Sequence, residues 1–294
     1  VADKPALRTY AGAVAVITGG ASGIGRGLAE ALARRGAEVV LADRQLELAE
    51  QVAAKIRGAG GKAAAMDLDV TDFAAVDRLV QQVCESRGRL DYFFNNAGIG
   101  IGGEVREYAI DDWNRVFAVN LHGVANGIQA AYPVMLRQGF GHIVNTASMA
   151  GLMPAPWTVS YAATKHAVVG LTTSLRIEAA PAGVRVSVLC PGVIRTPILE
   201  GGKFGKMLPS LEPAIRAQRW ERFRPMEPSL FAHKALRAIA RNEAIIVIPA
   251  WWKLIWWLNR LSPSLGLAFG HTLHRYTQRQ VESAGKNAVS APSH

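Results

Sequence analysis

The stretch AVAVITGG, Ala13 to Gly20, is a short apolar run that breaks into glycines. A helical pattern carrying Leu28, Ala31 and Leu32 follows at once and stops at Gly36, and a second apolar run, EVVLAD from Glu38 to Asp43, ends on an acid. Strands joined through a helix of this length are parallel neighbours, because an antiparallel pair needs only a short turn. The alternation continues with a helix over 45–59, a strand from Lys62 to Val70, a helix over 73–87 and a strand from Leu90 to Gly98. Beyond it lie a helix over 111–137, a strand from Gly141 to Ser148, a helix over 158–180 and a strand from Val184 to Gly192. Less regular material spans 193–225, then a helix over 229–241 and a last strand from Ala244 to Pro249. The pattern predicts an α/β fold with a seven-stranded parallel sheet between two layers of helices.

No linker-like boundary interrupts this pattern, so residues 1–249 are read as one domain and 250–294 as a C-terminal hydrophobic extension with a loose tail from about Ala284. Half of the 294 residues are hydrophobic, enough to bury a full core. Most of the formal charge of +10 lies beyond residue 200. No recognition helix or zinc-finger spacing accompanies it, which argues against a nucleic-acid partner. The start, Val1 to Gly12, lacks the apolar region of a signal peptide. Cys84 and Cys190 sit in apolar surroundings as small buried residues rather than a redox pair, and the expected compartment is the cytoplasm. His142, His166, Cys190 and Asp67 form no metal motif, so no metal is expected.

TGGASGIG, Thr18 to Gly25, lies directly between the first strand and the first helix. Glycines there permit close approach, and the free N–H groups of a helix start attract a pyrophosphate. Asp43 ends the second strand, where an acid can accept hydrogen bonds from both hydroxyls of an adenosine ribose. Its carboxylate would repel a 2′-phosphate and favours NAD; Arg44, immediately after it, keeps NADP open as the lesser alternative. Further on, Tyr161 and Lys165 form an i,i+4 pair on one helix, with Ser148 at the end of the preceding strand. They can converge at the C-terminal edge of a parallel sheet, or be a surface pair and a capping serine.

Taken in order, TGGASGIG, the pair Asp69 and Val70, NNAG at Asn95 to Gly98, Asn120, Ser148, YAATK at Tyr161 to Lys165 and PGVIRTP at Pro191 to Pro197 make the chain resemble the classical short-chain dehydrogenase/reductase family. The likeness covers residues from about 10 to 200 and implies a Rossmann-like three-layer fold. It implies that Tyr161 is the general acid for ketone reduction and the base for alcohol oxidation, with Lys165 stabilising its phenolate and holding the nicotinamide ribose. Ser148 would polarise the substrate oxygen, and Asn120 would support a water-mediated proton path to Lys165. The same resemblance makes Gly19, Ser22, Gly23, Ile24, Gly25, Asp43, Arg44, Asp69, Val70, Asn96, Ala97, Gly98, Tyr161, Lys165, Pro191, Gly192, Val193 and Thr196 cofactor contacts. A non-enzymatic nucleotide-binding scaffold is the alternative, and the intact catalytic set argues against it.

Residues 197–228 occupy the place of the family's substrate lid, and their apolar content, with Met149 after Ser148, predicts a lipophilic alcohol or ketone. Ser148, Met149, Tyr161, Phe204 and Met207 are the expected substrate contacts. Arg216, Arg219, Arg222 and Arg224 read as a solvated helix face ahead of an acidic-group site. The helices over 111–137 and 158–180 are candidates for a homodimer interface. AWWKLIWWLNRLSP, Ala250 to Pro263, holds four of the seven tryptophans but is too short and too interrupted to span a bilayer. Contact with a membrane surface, contact with another subunit and packing in the core all remain open for it.

Overall fold

The computed structural model describes residues 6–210 and 213–289. β1 (Val14–Thr18) is buried at every position and lies between β2 (Glu38–Asp43) and β4 (Tyr92–Asn95). β3 (Lys62–Asp67), β6 (Gly141–Thr146), β7 (Val184–Pro191) and β9 (Ile245–Ile248) complete a seven-stranded sheet in the order β3-β2-β1-β4-β6-β7-β9. Every pairing is parallel, as the sequence predicts. The inner strands β1 and β4 are buried at every position because helices cover both of their faces.

α1 (Gly23–Ala33), α2 (Leu46–Gly58) and α8 (Pro228–Ala240) contribute to one core with Ile17, Leu41 and Phe94 of the sheet. α3 (Phe73–Arg87) and α5 (Gly123–Gln138) close the other face over Val16, Phe93 and Ile143. α6 (Val159–Ala179) runs beside α4 (Ile110–Phe117) and packs on β7. Strand order reverses between β1 and β4, the place where open α/β sheets leave a crevice outside their C-terminal ends.

Several boundaries differ from the sequence reading, and the differences serve the crevice. β3 stops at Asp67 and β4 at Asn95, so Asp69, Val70 and Asn96 to Gly98 lie in loops at its rim. The helix expected over 111–137 is divided by a wider π turn, Ala118–His122, that carries Asn120. A π turn inserts an extra residue into the helical ladder and often marks a functional position.

A second, two-stranded sheet pairs β5 (Ile101–Gly102) with β8 (Lys206–Met207) and ties the lid to the loop after β4. α7 (Pro213–Glu221) lies within the stretch read as irregular. The extension forms α9 (Trp252–Leu261) and α10 (Pro263–Val289), which pack on each other, with α10 also reaching α7. α10 passes Ala284, where the sequence suggests loosening; the rest of the expected tail, residues 290–294, lies outside the described residues.

Candidate active site

Thr18 ends β1 and turns its hydroxyl toward the loop after the neighbouring β4, where Oγ1 accepts the N–H groups of Asn96 at 3.0 Å and Ala97 at 3.1 Å. The Asn96 amide donates back to the carbonyl oxygens of Thr18 and Gly19. This closeness requires glycine at position 19: φ is +65°, and a Cβ would strike the Ala97 backbone. At Gly25 a Cβ would strike the Gly19 carbonyl, so that glycine lets the first turn of α1 close onto the loop. The result is a cleft of ≈ 290 Å³ that the start of α1 faces.

Asp43 closes the end of this cleft. Its Oδ2 accepts the Ala21 N–H at 3.0 Å and its Oδ1 the Gln45 N–H at 2.9 Å, which fixes the carboxylate at the strand end. Arg44 reaches across to Asp69 at 3.4 Å and lies over the Phe204 ring, 4.8 Å from its centroid. Burial works to raise the Asp69 carboxyl, but two hydrogen bonds from Thr71 and the Arg44 charge hold it below the ordinary range.

Of the expected cofactor contacts, Gly19, Ser22, Gly23, Ile24, Asp43, Arg44, Asp69, Val70, Asn96, Ala97, Gly98, Tyr161, Lys165, Pro191 and Thr196 all line the cleft. Gly25 does not; it packs behind the turn. Gly192 and Val193 line an adjoining pocket instead.

α6 brings Tyr161 and Lys165 to the cleft from the other side. Lys165 is buried, and its Nζ donates to the Thr146 carbonyl at 2.8 Å and lies 5.4 Å from the Tyr161 ring centroid. Burial pulls the ammonium down to about 8, because the charged form is poorly solvated there. Burial likewise pushes the Tyr161 phenol up to about 12, opposed by a hydrogen bond with Ser148. Ser148 begins beyond β6 in extended backbone, and its Oγ accepts the Ala150 N–H at 3.1 Å. The Cys190 thiol is pushed up to about 12 by burial and stays protonated beside Lys165.

The fully buried Asn120 clamps the loop after β4. Its Oδ1 accepts the Ile99 N–H at 2.8 Å, and its Nδ2 donates to the Ile99 carbonyl at 2.9 Å. These bonds give the side chain a positioning task.

Tyr161 also lines a second cavity of ≈ 190 Å³, together with Ser148, Met149 and Met207. Met153, Trp220 and Phe223 add to its apolar wall. Phe204, expected here as a substrate contact, lies in the cofactor cleft instead, drawn there by Arg44.

Trp252 is the wall residue the sequence did not disclose as part of the site. Ile248 pairs with Pro191, and its carbonyl accepts the Gly192 N–H at 2.8 Å. The chain leaving β9 therefore turns over Gly192 and lays Trp252 beside Phe223, their ring centroids 5.7 Å apart.

Residues 13–203 match the short chain dehydrogenase family. Over 188 residues the chain is 42% identical to 2,5-dichloro-2,5-cyclohexadiene-1,4-diol dehydrogenase of Sphingobium indicum, covering 64% of this chain and 75% of that protein. It superposes on a short-chain dehydrogenase/reductase from Burkholderia phymatum in complex with NAD with a TM-score of 0.80 and 34% identity, over 88% of this chain and 96% of that one. It is similarly close to 3-ketoacyl-(acyl-carrier-protein) reductase from Brucella melitensis complexed with NADH: TM-score 0.71, 31% identity, 81% and 97% coverage. A glycine-lined cleft at the sheet's reversal point, a Tyr161–Lys165 pair facing it and these likenesses agree on one assignment. The chain belongs to the short-chain dehydrogenase/reductase family of NAD(P)-dependent oxidoreductases.

Proposed function

We propose that this protein interconverts a hydrophobic secondary alcohol and its ketone with NAD as the hydride carrier. The observation that carries the reading is the position of Tyr161, which borders both the polar cleft and the apolar pocket. A phenol at that boundary can exchange a proton with a substrate oxygen whose carbon faces the cleft.

A nicotinamide dinucleotide fits the residues present. The turn at Gly19 leaves no room for a side chain, and Asp43 is oriented by two backbone N–H groups toward the cleft. When bound, the nicotinamide supplies the hydride acceptor or donor. Ser148 holds and polarises the substrate oxygen. Tyr161 gives its Oη proton to that oxygen in reduction and removes it in oxidation. Lys165, with a proton on Nζ, lowers the cost of the phenolate, and Asn120 keeps the loop from Gly98 to Ile99 in place.

Asp43 favours NAD over NADP because its fixed carboxylate would meet a 2′-phosphate. Arg44 is occupied by Asp69 and Phe204, which weakens it as a phosphate partner. The relatives solved with NAD and NADH support the same choice. Methionine, tryptophan and phenylalanine side chains on the pocket wall support a lipophilic substrate. We read the assembly as a homodimer across α5 and α6, whose exposed Leu136, Val159 and Ile177 such an interface would cover.

The test is turnover of NAD(H) and NADP(H) across fatty ketones, cyclic and aromatic secondary alcohols and small polyols. Preference for NAD and a lipophilic alcohol or ketone is expected. Preference for small polyols would overturn the substrate reading, and preference for NADP the cofactor reading.

A further inference from the structure

α9 has two apolar sides, and only one meets the protein. Trp252 is 6% exposed, Ile255 and Trp256 pack on the core around Met149 and Met153, and Asn259 Nδ2 donates to the Leu152 carbonyl at 3.1 Å. Those contacts fix the helix rotation. They turn Trp251, Leu254, Leu258 and Leu261 outward, a spacing that makes one continuous stripe, with Trp257 beside it. Exposure reaches 52% at Trp257, 66% at Leu254 and 80% at Leu261, and Leu265 and Leu267 of α10 are also exposed. Lys253 and Arg260 occupy the edge of the helix between the stripe and the packed side.

We propose that this outward face of α9, with the start of α10, docks in the plane of an anionic lipid surface. Charge decides the occupant. Along α9 and the start of α10, from Trp251 to Gly270, the chain carries Lys253 and Arg260 and no acidic residue. A second copy seated on the face by a twofold axis would appose cation to cation without a carboxylate to pair them. An anionic headgroup layer neutralises Lys253 and Arg260 at the edge of the face, and exposed indoles prefer the headgroup boundary, where an apolar ring and a polar N–H are both satisfied. Among the described residues no helix is long and apolar enough to cross a membrane, so the contact lies along the surface. The other side of the same helix carries Trp252 of the substrate pocket, but the docking is independent of the catalytic reading.

The experiment is co-sedimentation of the intact protein with vesicles of two parts phosphatidylcholine to one part phosphatidylglycerol, and with phosphatidylcholine alone. Binding to the anionic vesicles that weakens with added salt is expected. The pair Trp257→Ser and Leu261→Ser should lower the vesicle partition coefficient roughly tenfold while leaving the melting temperature unchanged. Lys253→Glu with Arg260→Glu should abolish the preference for anionic lipid. The proposal is overturned if the intact protein stays in the supernatant, or if it binds both vesicles equally. It is also overturned if the serine pair leaves vesicle binding intact and converts a dimer to a monomer by light scattering, which would assign the face to a second copy.

Discussion

The indole of Trp252 lies so close against Gly192 that no Cβ fits at position 192 beside Nε1. One contact thus joins the C-terminal extension to the loop that follows β7, between the cofactor cleft and the apolar pocket. Gly192→Ala should push Trp252 off this seat and lower kcat/KM by roughly a hundredfold, since ångström-scale misplacement carries penalties of that order. Trp252→Ala should remove the wall instead, costing about 3 kcal/mol of stability and raising KM for bulky alcohols more than for small ones. Steady-state kinetics over a homologous alcohol series separates the two; equal effects on all chain lengths would remove Trp252 from the pocket.

Tyr161→Phe keeps the ring and deletes the oxygen proposed to transfer the proton. Its kcat should fall by about 10²–10⁴-fold, far more than its cofactor affinity in a fluorescence titration. Because burial raises the phenol to about 12 in the free protein, alcohol oxidation should quicken with rising pH while ketone reduction slows. A pH profile that runs the other way would assign the proton to another group.

The parts of the site legible in the sequence are those built by chain neighbours. Gly19 to Gly25, Asp43, Ser148 and the Tyr161–Lys165 pair each sit at the end of a strand or on one helix face, so periodicity places them, and the family resemblance implies their roles. Phe204 and Trp252 depend on distant contacts. A two-residue ladder between Ile101–Gly102 and Lys206–Met207 sets the lid, and no apolar period announces so short a pairing. With both sides of α9 apolar, helical spacing places Trp252 with Ile255, Trp256 and Asn259 on one side without showing which side turns inward. The Ile248–Pro191 pairing and the Asn259–Leu152 hydrogen bond supply that answer.

Asp43→Ser should exchange cofactor preference. The serine cannot repel a 2′-phosphate, and Arg44, which also lines the cleft, loses the carboxylate next to it in the chain. The ratio of kcat/KM for NAD over NADP should fall by at least about tenfold, the equivalent of about 1.4 kcal/mol. An unchanged ratio would move the discrimination elsewhere in the cleft.

His142 offers a stability test away from the chemistry. Ser187 donates its hydroxyl to the Glu243 carbonyl and therefore accepts from His142 Nε2–H at 2.9 Å, leaving Nδ1 unprotonated and, among the described residues, without a partner. Burial, aided by the Arg185 and Arg176 charges, pulls its pKa down to about 3 from 6.5. Between those values the unfolded chain binds more protons, so stability should drop as pH falls from 6.5 toward 3, by up to roughly 5 kcal/mol. His142→Asn should show a shallower loss than the parent in urea denaturation across that window.

Lys165 should expose a conflict between stability and catalysis. Its ammonium is pulled by burial to about 8 from 10.5, so the folded state releases this proton more readily than the unfolded chain does. From pH 8 to 10.5 the unfolded state therefore holds more protons, and folding stability should rise with pH. Below pH 8 the full penalty remains, about 3 kcal/mol for that interval, offset in part by the hydrogen bond to the Thr146 carbonyl. Lys165→Met removes the charge but keeps an unbranched chain in the same space. The variant should unfold at higher urea than the parent at pH 7, lose the rise between pH 8 and 10.5, and lose most of its turnover. Parallel stability profiles for parent and variant would show that Lys165 carries no buried-charge penalty. A variant with full turnover would show that Tyr161 does not need this charge.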